Sequence, residues 1–161
     1  MSYDTHLPVL RAIPSKFTIK KVIEFGSGYY STPLFLDRSV FPLVECFVSL
    51  ESSLDFSKQI SSKIQDPRFS ILVDTEEELL NISTQYSPAD LVFVDGQRQD
   101  MRVKTAIWSA SLAPLVILHD AENYIDVIPS FKYNFLFDKL LPWTCVLSNT
   151  IDVKLSLKDA F

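Results

Sequence analysis

The chain has 161 residues, 47% of them hydrophobic and 22% charged, with a formal net charge of -5. These values describe a globular chain able to bury one ordinary core, and they exclude a disordered or fibrous class. The acidic balance gives no chain-wide basic field for a phosphate backbone, so nucleic acid is not an expected partner.

The start, MSYDTHLPVLRAIPSKF, lacks the apolar run of a secretory signal, and no stretch approaches the ~20 apolar residues of a membrane span. A cytoplasmic protein without membrane contact is therefore expected. Cys46 and Cys145 are the only cysteines, and both sit in apolar runs, where a free thiol behaves as a small hydrophobe.

In chain order, residues 1–19 are expected to form an N-terminal helical extension. Residues 20–120 alternate β-rich runs with helix-like stretches, the pattern of βαβ units around a mostly parallel sheet. Strands are predicted at Lys21–Phe25, Val44–Leu50, Phe69–Val73, Asp90–Val94 and Pro114–Leu118, and helices at Thr32–Arg38, Leu54–Ile64, Glu76–Ile82 and Met101–Ser111. In the last helix Val103, Ala106, Ile107 and Ala110 are spaced as one apolar stripe. The runs Phe131–Phe137 and Thr144–Val153 are too close together for a parallel crossover, so residues 131–153 should close the sheet as an antiparallel hairpin. The fold class expected is α/β, a Rossmann-like three-layer sandwich, in a single domain over 1–161.

Only three glycines occur, Gly26, Gly28 and Gly96, where ~7% usage would give about 11. Two of them lie in Glu24-Phe25-Gly26-Ser27-Gly28, a strand running into a turn, with Ser31 or Thr32 placed to cap the next helix. Glycine there is expected to let the backbone reach a ligand. Glu51 follows Gly28 at the distance where an acidic residue accepts ribose hydroxyls. A pyrophosphate would sit badly beside Glu24, whereas the ammonium and sulfonium of S-adenosylmethionine (SAM) would be favoured by it.

With Glu24-Phe25-Gly26-Ser27-Gly28, Ser31-Thr32, Glu51, Ala89 to Gly96 and Val116 to Asp120 in view, the chain resembles the Rossmann-like class I SAM-dependent methyltransferases. It looks most like the small-molecule O-methyltransferase branch, whose fourth strand ends in Val-Asp-Gly and whose fifth ends in His-Asp. The resemblance implies that Glu24, Gly26, Ser27 and Gly28, with Ser31 and Thr32, hold the methionine part of SAM. It places Glu51 and Ser52 at the ribose, Asp74 and Thr75 beside the adenine, and Asp95, Arg98, His119 and Asp120 toward the methyl group and acceptor. Two departures stand out. Tyr30 takes the place of a third glycine, and there is little chain before the first strand or between Asp120 and Phe131 to form a substrate lid. A second subunit, as in a homo-oligomer, or a large substrate is the expected means of closing the site.

The expected reaction is transfer of a methyl group to an oxygen or nitrogen of a small-molecule or unknown acceptor. His119 is the first candidate base and Asp95 the second; the alternative for His119 is a structural hydrogen bond within its loop. Asp95 and Asp120 offer hard oxygen ligands to a divalent metal, although two carboxylates make a thin shell. Arg98 and Arg102, four apart, could clamp an acidic substrate or sit on a solvated face. A catalytically inactive binding or scaffold protein of the same fold and an NAD-linked oxidoreductase are the alternative functions.

Overall fold

The computed structural model describes residues 4–96 and 98–161. Residues 1–3 of the expected extension lie outside the described residues.

Seven strands form one sheet: β1 (Lys21–Phe25), β2 (Cys46–Glu51), β3 (Phe69–Val73), β4 (Leu91–Val94), β5 (Leu115–His119), β6 (Tyr133–Phe137) and β7 (Thr144–Ser148). Their order is β3-β2-β1-β4-β5-β7-β6. β1 to β5 pair in parallel, and β7 lies antiparallel to both β5 and β6. This is the Rossmann-like methyltransferase arrangement. Its strand order reverses between β1 and β4, so the carboxyl ends of these two strands open on the crevice where α/β sheets bind ligands.

The helices are α1 (Leu7–Ala12), α2 (Ser31–Leu36), α3 (Leu54–Ser61), α4 (Glu76–Ser83), α5 (Gln99–Ser109) and α6 (Val153–Leu157). Alternation along each strand divides the core in two. Ile23, Val48, Val92, Val116 and Leu147 face α4 and α5 through Leu79, Leu80, Met101 and Ala106. Val22, Phe47, Phe93, Ile117 and Val146 face α1, α2 and α6 through Val9, Leu10, Phe35, Val153 and Leu157. β4 and β5 are buried along their whole length, as their unbroken apolar sequences require. Among the described residues no helix is long and apolar enough to cross a membrane.

Several expectations need correction: among the element ends, α2 spans Ser31–Leu36, α3 stops at Ser61, α5 spans Gln99–Ser109 and β6 starts at Tyr133. β2 starts at Cys46 rather than Val44. The last strand stops at Ser148, because Asp152 accepts from Leu155 N and caps α6, so Val153 is helical. In α5 the buried face carries Met101, Arg102, Thr105, Ala106 and Ser109, while Ile107 is 48% exposed. Arg102 enters that face because two carboxylates receive it, as described below. Ser109 enters by donating its hydroxyl to Thr105 O at 2.7 Å, which satisfies the polar group without water.

Candidate active site

β1 ends by delivering Glu24, fully buried, into the layer between the sheet and α2. Three hydroxyls converge on its carboxyl. Ser31 Oγ donates at 2.6 Å, Thr32 Oγ1 at 2.7 Å and Ser49 Oγ at 2.9 Å. Burial pushes the Glu24 carboxyl up to about 8 despite the opposing pull of the three hydroxyls, and the charge of Asp95 acts in the same direction as burial. At neutral pH Glu24 is thus mostly protonated, and what it offers the cleft is an ordered loop rather than a bare negative charge. The same bonds correct the capping expectation. Ser31 and Thr32 lie inside α2, whose N-cap is Tyr30, and their hydroxyls serve Glu24.

The glycines answer to the protein's own backbone. Gly26 has φ +87°, and a Cβ built there would lie 1.9 Å from the Asp95 carbonyl oxygen. Gly96 has φ +80°, and its Cβ would lie 3.2 Å from Gly26 Cα. The two turns that follow β1 and β4 are therefore pressed together, and glycine is needed for that approach before any ligand is considered. At Gly28 a Cβ would meet Ser31 Oγ at 2.5 Å. The side chain of Thr32 accepts from Gly28 N at 2.9 Å.

Glu51, 7% exposed at the end of β2, accepts from Ser27 N at 2.9 Å and from Ser53 N at 2.8 Å. Each carboxylate oxygen thus spends one contact on the chain and keeps further lone-pair capacity. Ser27 Oγ meets Ser49 Oγ at 2.9 Å, which ties the loop to β2. Ser52 and Asp74 are exposed. Asp74 accepts from Thr75 N, and Thr75 caps α4 by accepting from Glu78 N.

A cavity of about 540 Å³ opens beside this loop, within the range of small-molecule sites. Gly28, Tyr29, Tyr30 and Ser31 line one side with Phe56 of α3; Asp95, His119 and Asp120 line the other with His6 and Pro142. Tyr29 packs edge-on against Phe56 with centroids 5.1 Å apart, so the loop and α3 are joined along this wall. Glu24, Glu51, Asp74, Thr75 and Arg98 do not line the cavity.

Asp95 is the centre of the polar side. Its Oδ1 accepts from Gly96 N at 2.8 Å and lies 3.5 Å from Arg102 Nη2; its Oδ2 lies 3.2 Å from His119 Nδ1. Burial pushes the Asp95 carboxyl up, but the His119 hydrogen bond and the neighbouring charges outweigh it and hold the group below the usual range. Arg102 Nη1 pairs with Asp120 Oδ2, and the guanidinium lies 5.4 Å over the Tyr124 ring. Asp120 itself adopts φ +56°, a left-handed conformation uncommon outside glycine. Arg98 points elsewhere, with Nε 2.9 Å from Glu76 Oε2 and its other end near Glu77.

Two residues of this wall were not expected from the sequence. Thr5 Oγ1 donates to Pro142 O at 2.8 Å and contacts His119 Nε2 at 3.1 Å. His6, 3% exposed, sits 4.8 Å edge-on from His119 and 5.3 Å from the Phe93 ring. Neither of its ring nitrogens has a hydrogen-bond partner among the described residues. Burial, then the nearby His119, pushes the His6 imidazole down to about 4. A lone histidine in a short N-terminal stretch carries no sequence signal; only the packing of α1 against the sheet brings it here.

No protein-family model and no curated protein matches the sequence. Solved structures do match the fold. A protein assigned as an O-methyltransferase from Klebsiella pneumoniae aligns at TM-score 0.72 and 12% identity, over 92% of this chain and 81% of that one. The O-methyltransferase TomG from Streptomyces achromogenes, in complex with SAM, aligns at TM-score 0.72 and 15% identity over the same shares. Spermidine synthase from Thermotoga maritima aligns at TM-score 0.56 and 17% identity, over 97% of this chain and 59% of that one.

Proposed function

We propose that this chain, which has the Rossmann-like fold of the class I SAM-dependent methyltransferases, binds SAM in the crevice above β1 and β4 and transfers its methyl group to an oxygen, or a nitrogen, of an acceptor held in the adjoining cavity. The observation that carries the reading is the cavity itself. It lies between the glycine loop and the Asp95–His119 pair, so a ligand bound on the loop would present its reactive end to that pair.

When bound, SAM supplies an electrophilic methyl group. The chain's own contribution is position and proton removal. Ser27, Gly28 and the Glu24 hydroxyl cage fix the loop, Glu51 has lone-pair capacity left for the ribose hydroxyls, and the faces of Tyr29, Tyr30 and Phe56 suit a planar ring. Asp95, its side chain 27% exposed, is the open end of the Asp95–His119 pair and the first group an acceptor hydroxyl would reach. The pair is the proposed base.

Calorimetric titration with SAM, with its demethylated product and with NAD tests the reading. Binding of the first two and not of NAD supports it, and release of the demethylated product with an acceptor panel would establish transfer. Failure of SAM to bind at millimolar concentration would remove the proposal. A binding protein without catalysis is the second reading; SAM binding with no turnover on any acceptor would select it.

A further inference from the structure

β6 ends the sheet on one side. Its only strand partner is β7, and no residue from Tyr133 to Phe137 makes a further backbone hydrogen bond among the described residues. One row of its N–H and C=O groups is therefore left open to solvent. Edge strands are ordinarily guarded against pairing by a charge, a proline or a bulge. The sequence Tyr-Asn-Phe-Leu-Phe has no charge and no proline, and its register with β7 is unbroken. α6 packs directly beside this strand, burying Val153 and Leu157 and leaving Lys154 and Lys158 exposed. Between helix and strand lies a cavity of about 310 Å³, lined by Asn134, Phe135, Leu136, Lys154 and Lys158. Neither ammonium has an ion-pair or hydrogen-bond partner among the described residues, although the chain as a whole carries a net charge of -5.

We infer that the β6 edge is a docking site for an extended acidic segment of another protein, added as a further strand beside β6 with its carboxylates toward Lys154 and Lys158. The open main-chain groups supply the pairing, and the lysines supply the selection. Residues four apart on a helix are separated by about 6 Å along its axis, and alternate residues of an extended chain by about 6.6–6.8 Å. An acid-x-acid sequence therefore has the spacing of Lys154 and Lys158. Every second residue of the added strand faces α6, the side on which Tyr133 and Phe135 pack. The residues between them fall on the opposite face, beside Leu136, where apolar side chains fit. A second copy of the chain is the competing occupant, and charge argues against it. Identical edge strands pair in antiparallel fashion about a two-fold axis normal to the sheet, which brings both copies of α6 to one face. Four lysines would then meet across the seam, with no acidic residue lining either groove to offset them.

The groove shares no lining residue with the cavity beside the glycine loop, so the inference does not rest on SAM binding and its test omits SAM. A short fluorescent peptide of alternating glutamate and valine, capped at both ends, is titrated with the chain. The control is the same peptide with lysine in place of glutamate. Expected are saturation of the acidic peptide below about 100 µM chain, none of the basic one, and new hydrogen-exchange protection at alternate amides of β6. Lys154→Glu combined with Lys158→Glu, both exposed, should weaken the acidic peptide about tenfold or more while the melting temperature stays near that of the wild type. Protection of the wild-type amides is a readout that the folding of no variant can confuse. Binding that leaves the β6 amides unprotected, equal affinity in the double variant, or no binding at roughly 1 mM chain would overturn the site. So would β6 protection that appears in the chain alone as its concentration rises, since that gives the edge to a second copy.

Discussion

Gly26 and Asp95 touch through their backbones: a Cβ at residue 26 would come 1.9 Å from the Asp95 carbonyl oxygen, at a φ of +87°. The contact joins the loops after β1 and β4, the two loops between which the crevice opens.

Gly26→Ala must therefore push the loops apart as well as adopt an unfavourable φ. A loss on the order of 3–5 kcal/mol in urea unfolding is expected, in the range reserved for forced backbone shifts. Gly96→Ala, with its nearest contact at 3.2 Å, should cost less, about 1–2 kcal/mol. Equal and small effects at both positions would show that the loops do not meet as described.

Glu24 makes stability depend on pH in the direction opposite to an ordinary carboxylate. Between its usual value of 4.5 and its folded value of about 8 the folded chain holds a proton that the unfolded chain has lost. Raising the pH through that window therefore favours unfolding. Urea midpoints should fall from pH 5 to pH 8 in the wild type and change less in Glu24→Gln, and a parallel decline in both would remove Glu24 as the cause.

Arg102 binds two carboxylates from one buried position, with its side chain 7% exposed. Arg102→Met leaves Asp95 and Asp120 facing each other without a cation, and a loss of about 3–5 kcal/mol is expected at pH 7. Lowering the pH enough to protonate one carboxylate should recover part of it. Arg102→Lys should recover little, because a single ammonium cannot reach both groups with the guanidinium's geometry.

Glu51→Gln keeps the side chain's shape and one acceptor oxygen, so only one of the amides of Ser27 and Ser53 keeps its partner. Stability should fall by about 1–2 kcal/mol. If Glu51 also takes the ribose, SAM affinity in calorimetry should drop about tenfold or more beyond any effect on the variant's unfolding midpoint. Unchanged affinity would confine Glu51 to holding the loop.

The sheet was legible because its signals are local. Leu91–Val94 and Leu115–His119 read as unbroken apolar strands, and the short link before Thr144 left only an antiparallel return. The polar ends of β1, β2, β4 and β5 were readable for the same reason. What the sequence could not show is how polar residues spend their bonds. Ser31 and Thr32 looked like helix caps and instead serve Glu24. Arg102 broke the apolar stripe expected in α5 because its charge is met by residues 7 and 18 positions away. His6 and Thr5 reach His119 from 113 and 114 positions away, a meeting arranged by helix packing alone.

The left-handed turn at Asp120 imposes two independent filters on one position. Glycine and asparagine satisfy the backbone but leave the guanidinium of Arg102 with one carboxylate in place of two, while glutamate keeps the charge and resists the turn. A library randomised at residue 120 and sorted for folding at low pH, where the charge matters least, should drift to glycine and asparagine; sorted at neutral pH it should return aspartate.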